Sequence, residues 1–327
     1  MKLITIIIPA YNEEKSLPEM FVRLEKLSRR IDKYNLEFLF VNDGSRDKTA
    51  ELLLEEAKNN HQISVINFSR NFGKEIAVAA GIDHADGDAV VIMDADGQEP
   101  PELVPEMIKW WEQGFDDVYA RRNKKSEKGL KGFTSKVYYR TLQKMSRVPI
   151  QIDTGDFRLF SRKAILALRE FRETSRQNKA IFSWIGYNKK EIKFDQEERK
   201  DGETKWKFGL FSSGNSLINL AIDGFTSFTT IPLRFITVFG SFVSLVAFIY
   251  IIVVILQTIF ANNSHLSGLP TLLCVTLFLG GIQMIALGII GEYIGRIFIE
   301  TKNRPLYLVQ DYKPSKFAKK VIDDEKK

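Results

Sequence analysis

Two aspartates and a glutamine follow a short apolar run in the sequence. The run is Ala89–Met93, and after it come Asp94, Asp96 and Gln98, spaced two residues apart. Carboxylate and amide oxygens at a strand end are hard ligands for Mg²⁺ or Mn²⁺, and they leave positions open for phosphate oxygens. A bound metal would offset negative charge on a departing diphosphate. Because Asp-x-Asp is also common in ordinary turns, its meaning depends on its neighbours.

Two further polar loops follow apolar runs earlier in the chain. The first holds Pro9, Tyr11 and Glu13, and the second begins with Asn42 and Asp43. Each loop could be a turn with a helix cap, because each region contains residues that favour caps and tight turns. Glu13 and Asp43 would lie at neighbouring strand ends, where the ribose hydroxyls and base edge of a nucleoside need acceptors. Nucleoside binding explains both loops together.

Strand and helix patterns alternate over the first part of the chain. The predicted strands are Leu3–Pro9, Leu36–Val41, Ile63–Phe68, Ala89–Met93 and Asp117–Arg121, and the predicted helices are Leu17–Ile31, Lys48–Asn59, Lys74–Ala85 and Pro101–Gln113. This alternation predicts an α/β fold with a mostly parallel sheet. Ligands of such sheets bind beyond the carboxyl ends of the strands. The loops that begin at Pro9, Asn42, Ser69 and Asp94 are therefore the expected site.

Two long uncharged stretches near the C-terminus predict a membrane domain. Phe235–Phe260 and Pro270–Gly291 each reach the roughly 20 residues needed to cross a bilayer. Their connector, Ala261–Leu269, has no Lys or Arg, whereas both flanks carry many, so the positive-inside rule places both flanks in the cytosol. The N-terminal apolar run ends at Pro9, which is too short for a signal peptide. We therefore expect an integral membrane protein with a cytosolic catalytic domain and both termini in the cytosol.

The charge of the chain favours a lipid partner over nucleic acid. The formal net charge is +6, but the Lys and Arg follow no nucleic-acid-binding motif, so we expect them to face anionic lipid. Residues 122–150 are basic and amphipathic, and Trp206–Phe228 could lie in the membrane interface. The lone cysteine, Cys274, and three scattered histidines argue against a disulfide framework or a thiolate metal cluster.

Six motifs in order give the chain a resemblance to a known family. They are Ile8–Glu13, Ser69–Lys74, Asp94–Asp96, Thr154–Leu159, Arg199–Trp206 and Gly291–Arg296. This series resembles the family 2 glycosyltransferases with the GT-A fold. More closely, it is similar to the polyisoprenyl-phosphate glycosyltransferases, which include dolichol-phosphate mannose synthase and the bactoprenol glucosyltransferases. The resemblance covers nearly the whole chain.

The resemblance implies roles for individual residues. Nucleotide-binding positions are matched by Pro9, Tyr11, Glu13, Asp43 and Asp94, and metal positions by Asp94, Asp96 and Gln98, with Mg²⁺ or Mn²⁺ as cofactor. Arg199 and Lys205 match basic residues that neutralise the leaving diphosphate, a role suited to guanidinium and ammonium groups. The acceptor phosphate is expected at Arg122, Ser135 and Arg140, with Arg121 as an alternative to Arg122.

Asp156 matches the catalytic aspartate of the family, and the implied catalytic set is Asp96, Asp156, Arg199 and Lys205. An alcohol acceptor needs a general base, but a phosphate monoester is already largely ionised at neutral pH. We therefore predict that Asp156 orients Arg158, Arg199 or the metal shell. A buried structural pair between Asp156 and Arg158 is the alternative.

The implied reaction is the inverting transfer of one sugar from a nucleotide-sugar donor to polyprenyl (undecaprenyl) phosphate at the cytosolic face of a bacterial membrane. UDP-glucose is the favoured donor, and the alternatives are GDP-mannose or a modified sugar such as aminoarabinose. A processive polysaccharide synthase is disfavoured because Gln-x-x-Arg-Trp does not occur in the sequence. A catalytically silent membrane scaffold is disfavoured because the candidate metal and catalytic residues are all present.

The expected organisation is a GT-A catalytic domain over residues 1–205, an amphipathic juxtamembrane segment over 206–230, a two-helix transmembrane domain over 231–300 and a cytosolic tail over 301–327. Lys313–Lys327 is highly charged and is expected to be mobile. Glu292 and Arg296 can pair one turn apart, and a stripe of small residues suits close helix packing; it comprises Gly288, Gly291 and Gly295. That stripe could pack within one chain or between two copies, so a homo-oligomer is one of two alternatives.

Overall fold

The computed structural model describes residues 1–123, 154–174, 176–195, 231–260 and 268–318. They belong to two compact units. One unit is formed by Met1–Lys205 together with Arg304–Lys327, and the other by Trp206–Asn303. The predicted amphipathic segment at 206–230 and the part of the basic region beyond Asn123 lie outside the described residues.

The first unit alternates strands and helices. Its strands are β1 (Leu3–Ala10), β2 (Asn35–Asn42), β3 (Ile63–Phe68), β4 (Ala89–Ile92), β5 (Asp117–Arg122), β6 (Thr154–Ser161), β7 (Lys189–Phe194) and β8 (Val309–Lys313). Its helices are α1 (Leu17–Arg30), α2 (Thr49–Asn59), α3 (Lys74–His84), α4 (Val104–Glu112), α5 (Arg162–Arg169) and α6 (Asn178–Trp184). A short 3₁₀ turn, Pro101–Leu103, precedes α4.

The strands form one mixed sheet in the order β7-β5-β6-β4-β1-β2-β3-β8. The central strands β4, β1, β2 and β3 are parallel, as the alternation of strands and helices predicts. Strand β6 is antiparallel to both β4 and β5, and β8 is antiparallel to β3. The expectation of a mostly parallel sheet therefore holds for the centre of the sheet, and the fold is a mixed α/β fold.

Both faces of the sheet are covered by helices. Alternate residues of β1 show this directly: Ile6 packs into a core shared with α1, α2 and α4, whereas Ile7 packs into a core shared with α3, α5 and α6. A strand buried on both faces needs apolar residues at successive positions, which is why β1 has an almost continuous apolar run. Full burial of each such isoleucine stabilises the fold by about 1.5–3 kcal/mol.

The C-terminal region returns to the sheet of the first unit. Strand β8 pairs with β3, and the N–H of Ser69 donates to the carbonyl of Leu308 over 3.1 Å. Tyr307 stacks on Phe68 with ring centroids 5.2 Å apart and donates its hydroxyl to Asp83. Part of the segment expected as a cytosolic tail over 301–327 therefore pairs with the sheet of the first unit. The expected mobility from Lys313 stays a prediction. An open edge strand gains hydrogen bonds from any partner strand, and here the partner is distant in sequence.

The second unit contains two long helices, α7 (Ile231–Phe260) and α8 (Leu269–Thr301). Among the described residues, one stretch is long and apolar enough to cross a membrane, Phe278–Thr301 within α8. Arg296 and Glu292 form the expected ion pair one turn apart, at 3.0 Å. The second crossing expected from the sequence, at 235–260, remains a prediction.

Candidate functional site

The loops after β1 and β2 are joined by hydrogen bonds. The N–H of Asp43 donates to the carbonyl of Ala10 over 2.9 Å, and the N–H of Glu13 donates to the hydroxyl of Thr49 over 2.8 Å. Pro9 lies opposite Val41 in the parallel ladder. Because parallel neighbours place their carboxyl ends together, the predicted nucleoside residues on these two loops lie at one edge of the sheet.

Asp43 is buried and holds the loop that follows β3. Its two carboxylate oxygens accept the N–H groups of Phe72 and Gly73, over 2.7 and 3.0 Å. Burial raises the pKa of Asp43, although these two N–H groups and Arg70 act in the opposite direction. Asp43 therefore connects the predicted nucleoside loops to the segment that leads into α3.

Gly44 permits this contact between the β2 and β3 loops. It has a φ of 63°, and a Cβ at this position would lie 2.4 Å from the backbone carbon of Arg70. Both the left-handed conformation and the close approach require glycine. The local turn and the position of the β3 loop thus depend on the same residue.

Asp94 follows β4 and pairs with a lysine that sequence reasoning did not select. An oxygen of its carboxylate lies 2.7 Å from Nζ of Lys74, the first residue of α3. Its backbone N–H donates to the buried Glu99 over 2.8 Å. Burial raises the pKa of Asp94, an effect that Lys74 opposes and Asp156 reinforces.

Asp156 lies on β6, next to the end of β4. Its Oδ2 is 3.0 Å from the same Lys74 ammonium, and its side chain is 6% exposed. Burial acts to raise the pKa of Asp156, but Lys74, Lys179 and Arg158 outweigh burial and hold the pKa below its usual value. The predicted catalytic aspartate and the first aspartate of Asp-x-Asp are thus brought together by one cation.

The predicted metal ligands supply oxygen donors, but they do not form a complete coordination shell. Oδ1 of Asp96 accepts the N–H of Gln98 over 3.1 Å. No group of three or more His, Cys, Asp or Glu side chains suited to a metal occurs in the part of the chain that the structure describes. Two buried oxygens near these residues, Oε1 of Glu99 and Oδ1 of Asp156, have no hydrogen-bond partner among the described residues. Open carboxylate oxygens fit Mg²⁺ or Mn²⁺, and phosphate oxygens of a substrate would have to complete the coordination.

Arg122, a predicted acceptor-phosphate residue, reaches the start of β6. A Cβ on Gly155 would lie 3.2 Å from Oε1 of Glu99 and 3.5 Å from a guanidinium nitrogen of Arg122. The glycine therefore lets an acidic and a basic side chain approach the residue beside Asp156. Arg121 instead pairs with Glu191 at 3.3 Å, which favours Arg122 in the choice between the two arginines.

Arg158 forms a buried ion pair with a carboxylate of β5. It lies 3.3 Å from Asp117, and both side chains are fully buried. The Asp117 carboxylate is also 3.8 Å from Lys189, and the Arg158 guanidinium lies 4.7 Å from the ring centre of Phe182. This buried ion pair links β6 to β5. The Asp156 carboxylate contacts Lys74.

The structure therefore brings several predicted residues together and exposes three that the sequence reasoning missed. Asp94 and Asp156 contact the same Lys74 ammonium, and Arg122 lies beside Gly155, the residue before Asp156. Arg199, Lys205, Ser135 and Arg140 lie outside the described residues. The missed residues are Lys74, Glu99 and Asp117. Lys74 ends the Ser69–Lys74 motif and Glu99 follows Gln98, so proximity to motifs was the sequence signal for these two. Asp117 had no such signal.

Comparisons with known proteins show the family. The model of glycosyl transferase family 2 matches residues 5–169. An uncharacterised glycosyltransferase of Synechocystis is 44% identical over 309 residues, covering 94% of this chain and 95% of the relative. The prophage bactoprenol glucosyl transferase homolog of Escherichia coli K12 is 41% identical over 311 residues, covering 95% and 99%. The likeness to both relatives thus extends over nearly the whole chain.

A solved structure also matches part of the chain. It is a mannosyltransferase from Pyrobaculum calidifontis in complex with GDP-Man and Mn²⁺, 21% identical, with a TM-score of 0.45. The match covers 60% of this chain and 56% of that one.

Proposed function

We propose a specific reaction for this chain, which belongs to glycosyl transferase family 2. It transfers a single glucose from UDP-glucose to polyprenyl (undecaprenyl) phosphate, with inversion at the anomeric carbon. The observation that carries this proposal is the contact of Asp94 and Asp156 with the same Lys74 ammonium, with Arg122 beside Gly155, the residue before Asp156. Relatives named as bactoprenol glucosyl transferases, at 39–41% identity over nearly their full length, support the same acceptor and sugar.

The donor is proposed to bind across the carboxyl ends of β1, β2 and β4. Tyr11, Glu13 and Asp43 would face the nucleoside, and Asp94, Asp96 and Gln98 would hold the metal. A bound Mg²⁺ or Mn²⁺ supplies positive charge that stabilises the diphosphate as it leaves. Arg199 and Lys205 are proposed to contact the same diphosphate.

The acceptor phosphate is proposed to bind at Arg122, with Ser135 and Arg140. An acceptor phosphate oxygen attacks the anomeric carbon, the bond from that carbon to the donor diphosphate breaks, and UDP departs with the bonding electrons. Because the attacking oxygen is already ionised, Asp156 has no proton to remove. Its negative charge instead orients the cationic groups around the reacting atoms.

The membrane arrangement is part of the proposal. α8 contains a stretch able to cross the bilayer, and a second crossing by α7 would return the chain to the same side. Both termini and the first unit would then face the cytosol, where nucleotide sugars are made. The isoprenoid chain of the acceptor lies in the bilayer, so a membrane-anchored enzyme would encounter the acceptor by lateral diffusion in the membrane.

The direct test is a transfer assay on membranes that contain the full chain. Undecaprenyl phosphate and Mg²⁺ are supplied with a panel of labelled UDP- and GDP-sugars. We expect one lipid-linked product carrying a single glucose, its loss with EDTA, and its recovery with Mg²⁺ or Mn²⁺. Asp96→Asn serves as the inactive control.

The other outcomes of this assay separate the alternatives. A product made only from GDP-mannose, or from an aminoarabinose donor, would replace the donor but keep the acceptor. A long polymer would indicate a processive synthase. No lipid-linked product from any donor would overturn the proposed function.

A further inference from the structure

Two carboxylates face each other across the junction of β4 and β6. In the antiparallel ladder Ala89 lies opposite Ser161, and Ile92 lies opposite Arg158. Continuing this register by two residues places Asp94 opposite Asp156. Like charges directly opposite each other on adjacent strands destabilise the pairing, and burial strengthens their repulsion. Some positive group must compensate them when no substrate is bound.

Lys74 is that group. Its ammonium lies 2.7 Å from the Asp94 carboxylate and 3.0 Å from the Asp156 carboxylate. The lysine comes from a third element, α3, so three separate parts of the chain meet at one nitrogen. Glu99, almost fully buried, adds a third carboxyl group beside Asp94.

The position of Lys74 is itself fixed from the predicted nucleoside side. Asp43 accepts the N–H groups of Phe72 and Gly73, the two residues before Lys74. A continuous set of contacts therefore runs from Asp43 through the backbone to Lys74 and on to Asp94 and Asp156. A change at the nucleoside loops would be transmitted to the lysine by the backbone.

We propose that Lys74 is a positioning residue of the transfer reaction, which holds Asp94 and Asp156 in one arrangement and limits the negative charge that the metal meets. This inference rests on the proposed function. It predicts two effects of opposite direction when the ammonium is removed. Turnover falls because the two carboxylates move apart, while a divalent cation binds more tightly because the site has gained one uncompensated negative charge.

The test uses the full chain in mild detergent with Lys74→Met and Lys74→Arg. Lys163→Met is the matched control, because Lys163 is a largely exposed lysine 3.8 Å from Asp116, outside the site. Binding of Mn²⁺ in the presence of UDP is followed by the electron paramagnetic resonance signal of free Mn²⁺, and turnover by lipid-linked glucose.

For Lys74→Met we expect turnover to fall about 100-fold and Mn²⁺ to bind about three- to tenfold more tightly. Lys74→Arg, which keeps the charge, should bind Mn²⁺ like the wild type and recover part of the turnover. Turnover of Lys74→Met within about threefold of wild type would overturn the inference. So would a loss of Mn²⁺ affinity in parallel with turnover, which is the result expected of a purely structural lysine.

A double-mutant cycle followed by urea unfolding tests the contact between Lys74 and Asp156 without measuring sugar transfer. Lys74→Met, Asp156→Asn and the double variant should shift the urea midpoint non-additively, because the two side chains contact each other. Additive shifts would reject the Lys74 inference even if sugar transfer is confirmed. A wild-type chain that transfers no sugar, yet shows the coupling, would reject the proposed function alone. Lys74→Gln replaces Lys74→Met if the latter does not fold.

Discussion

Buried carboxylates lie at both ends of the parallel strands, and their surroundings differ. Near the amino ends, Glu37 is 1% exposed and accepts three hydroxyl groups, from Thr5, Ser64 and Ser315, over 2.7–2.9 Å. At the carboxyl ends, Glu99 and Asp156 each keep one buried oxygen with no partner among the described residues. Leaving a buried acceptor unpaired costs about 1–3 kcal/mol. Glu37 avoids this cost, whereas Glu99 and Asp156 carry it.

The buried carboxyl groups at the carboxyl ends of the strands also have shifted pKa values. Burial raises the pKa of Glu99 well above its usual value, and the nearby Asp94 adds to this rise. Asp156 has a lowered pKa because three cations outweigh its burial. Neighbouring groups whose pKa values shift in opposite directions are typical of sites that bind charged ligands. Glu37 therefore joins three segments of the chain by hydrogen bonds, whereas the surroundings of Asp156 fit the proposed ligand site.

Asp156→Asn should have the largest effect. We expect turnover to fall about 100- to 1,000-fold, because a fixed charge beside the reacting atoms is lost. The loss should be nearly flat from about pH 6 to 9, since the lowered pKa keeps Asp156 ionised throughout that range. Initial rates of lipid-linked glucose formation measure both. Asp32→Asn, at an exposed position, is the control, and recovery confined to high pH would instead indicate a general base.

Glu37→Ala should act on stability and spare the chemistry. Three buried hydroxyls lose their shared acceptor, so the free energy of unfolding should fall by about 3 kcal/mol. Urea unfolding followed by tryptophan fluorescence gives this value, and turnover per folded molecule should stay within about twofold of wild type. Glu37→Gln should lose less, because its amide oxygen still accepts. A large turnover loss at unchanged stability would contradict the division between the two ends.

Glu75→Gln should change how stability depends on pH. Burial and the nearby Asp156 raise the pKa of Glu75 to about 7, so between its unfolded pKa and that value the folded chain binds the extra proton. Stability from this group is therefore fully present below the unfolded pKa and is lost as pH rises through about 7, by roughly 3 kcal/mol. The Gln variant should show a flatter profile in urea unfolding from about pH 5 to 8. Parallel profiles for the two proteins would rule out the raised pKa.

Ser315→Ala should have the smallest effect. Its hydroxyl donates to Glu37 over 2.8 Å and accepts the N–H of Phe317 over 3.2 Å. We expect the free energy of unfolding to fall by about 1 kcal/mol, less than for Glu37→Ala because two hydroxyls still reach the carboxylate. Ser28→Ala, a more exposed hydroxyl hydrogen-bonded to Gln62, is the matched control. An effect as large as that of Glu37→Ala would mean that docking of the C-terminal segment, rather than the carboxylate, stabilises this end.

The sequence predicted the central part of the fold well. The predicted strand Ile63–Phe68 matches β3, and Leu3–Pro9 differs from β1 by one residue. These strands are local apolar runs bounded by turn residues, so their signal lies within a few neighbouring positions. Strands β6 and β7, and helices α5 and α6, were not predicted because their patterns are short and depend on partners far away in the chain.

The residues in and beside the candidate site also differ in whether a local sequence pattern identifies them. Asp94, Asp96 and Asp43 could be selected because each follows an apolar strand, a local pattern. Asp117 could not, because its partner Arg158 is 41 residues away and only the pairing of β5 with β6 brings them together.

The sequence by itself determined the family, the parallel centre of the sheet, the Asp-x-Asp loop and the apolar C-terminal helix, because each is carried by residues close together in the chain. Only the tertiary structure decided three further points. These are the facing of Asp94 and Asp156, the ammonium of Lys74 between them, and the return of β8 to the edge of β3. Strand register, burial and charge compensation depend on elements that meet only in the folded chain, and no local pattern of residues encodes those distances.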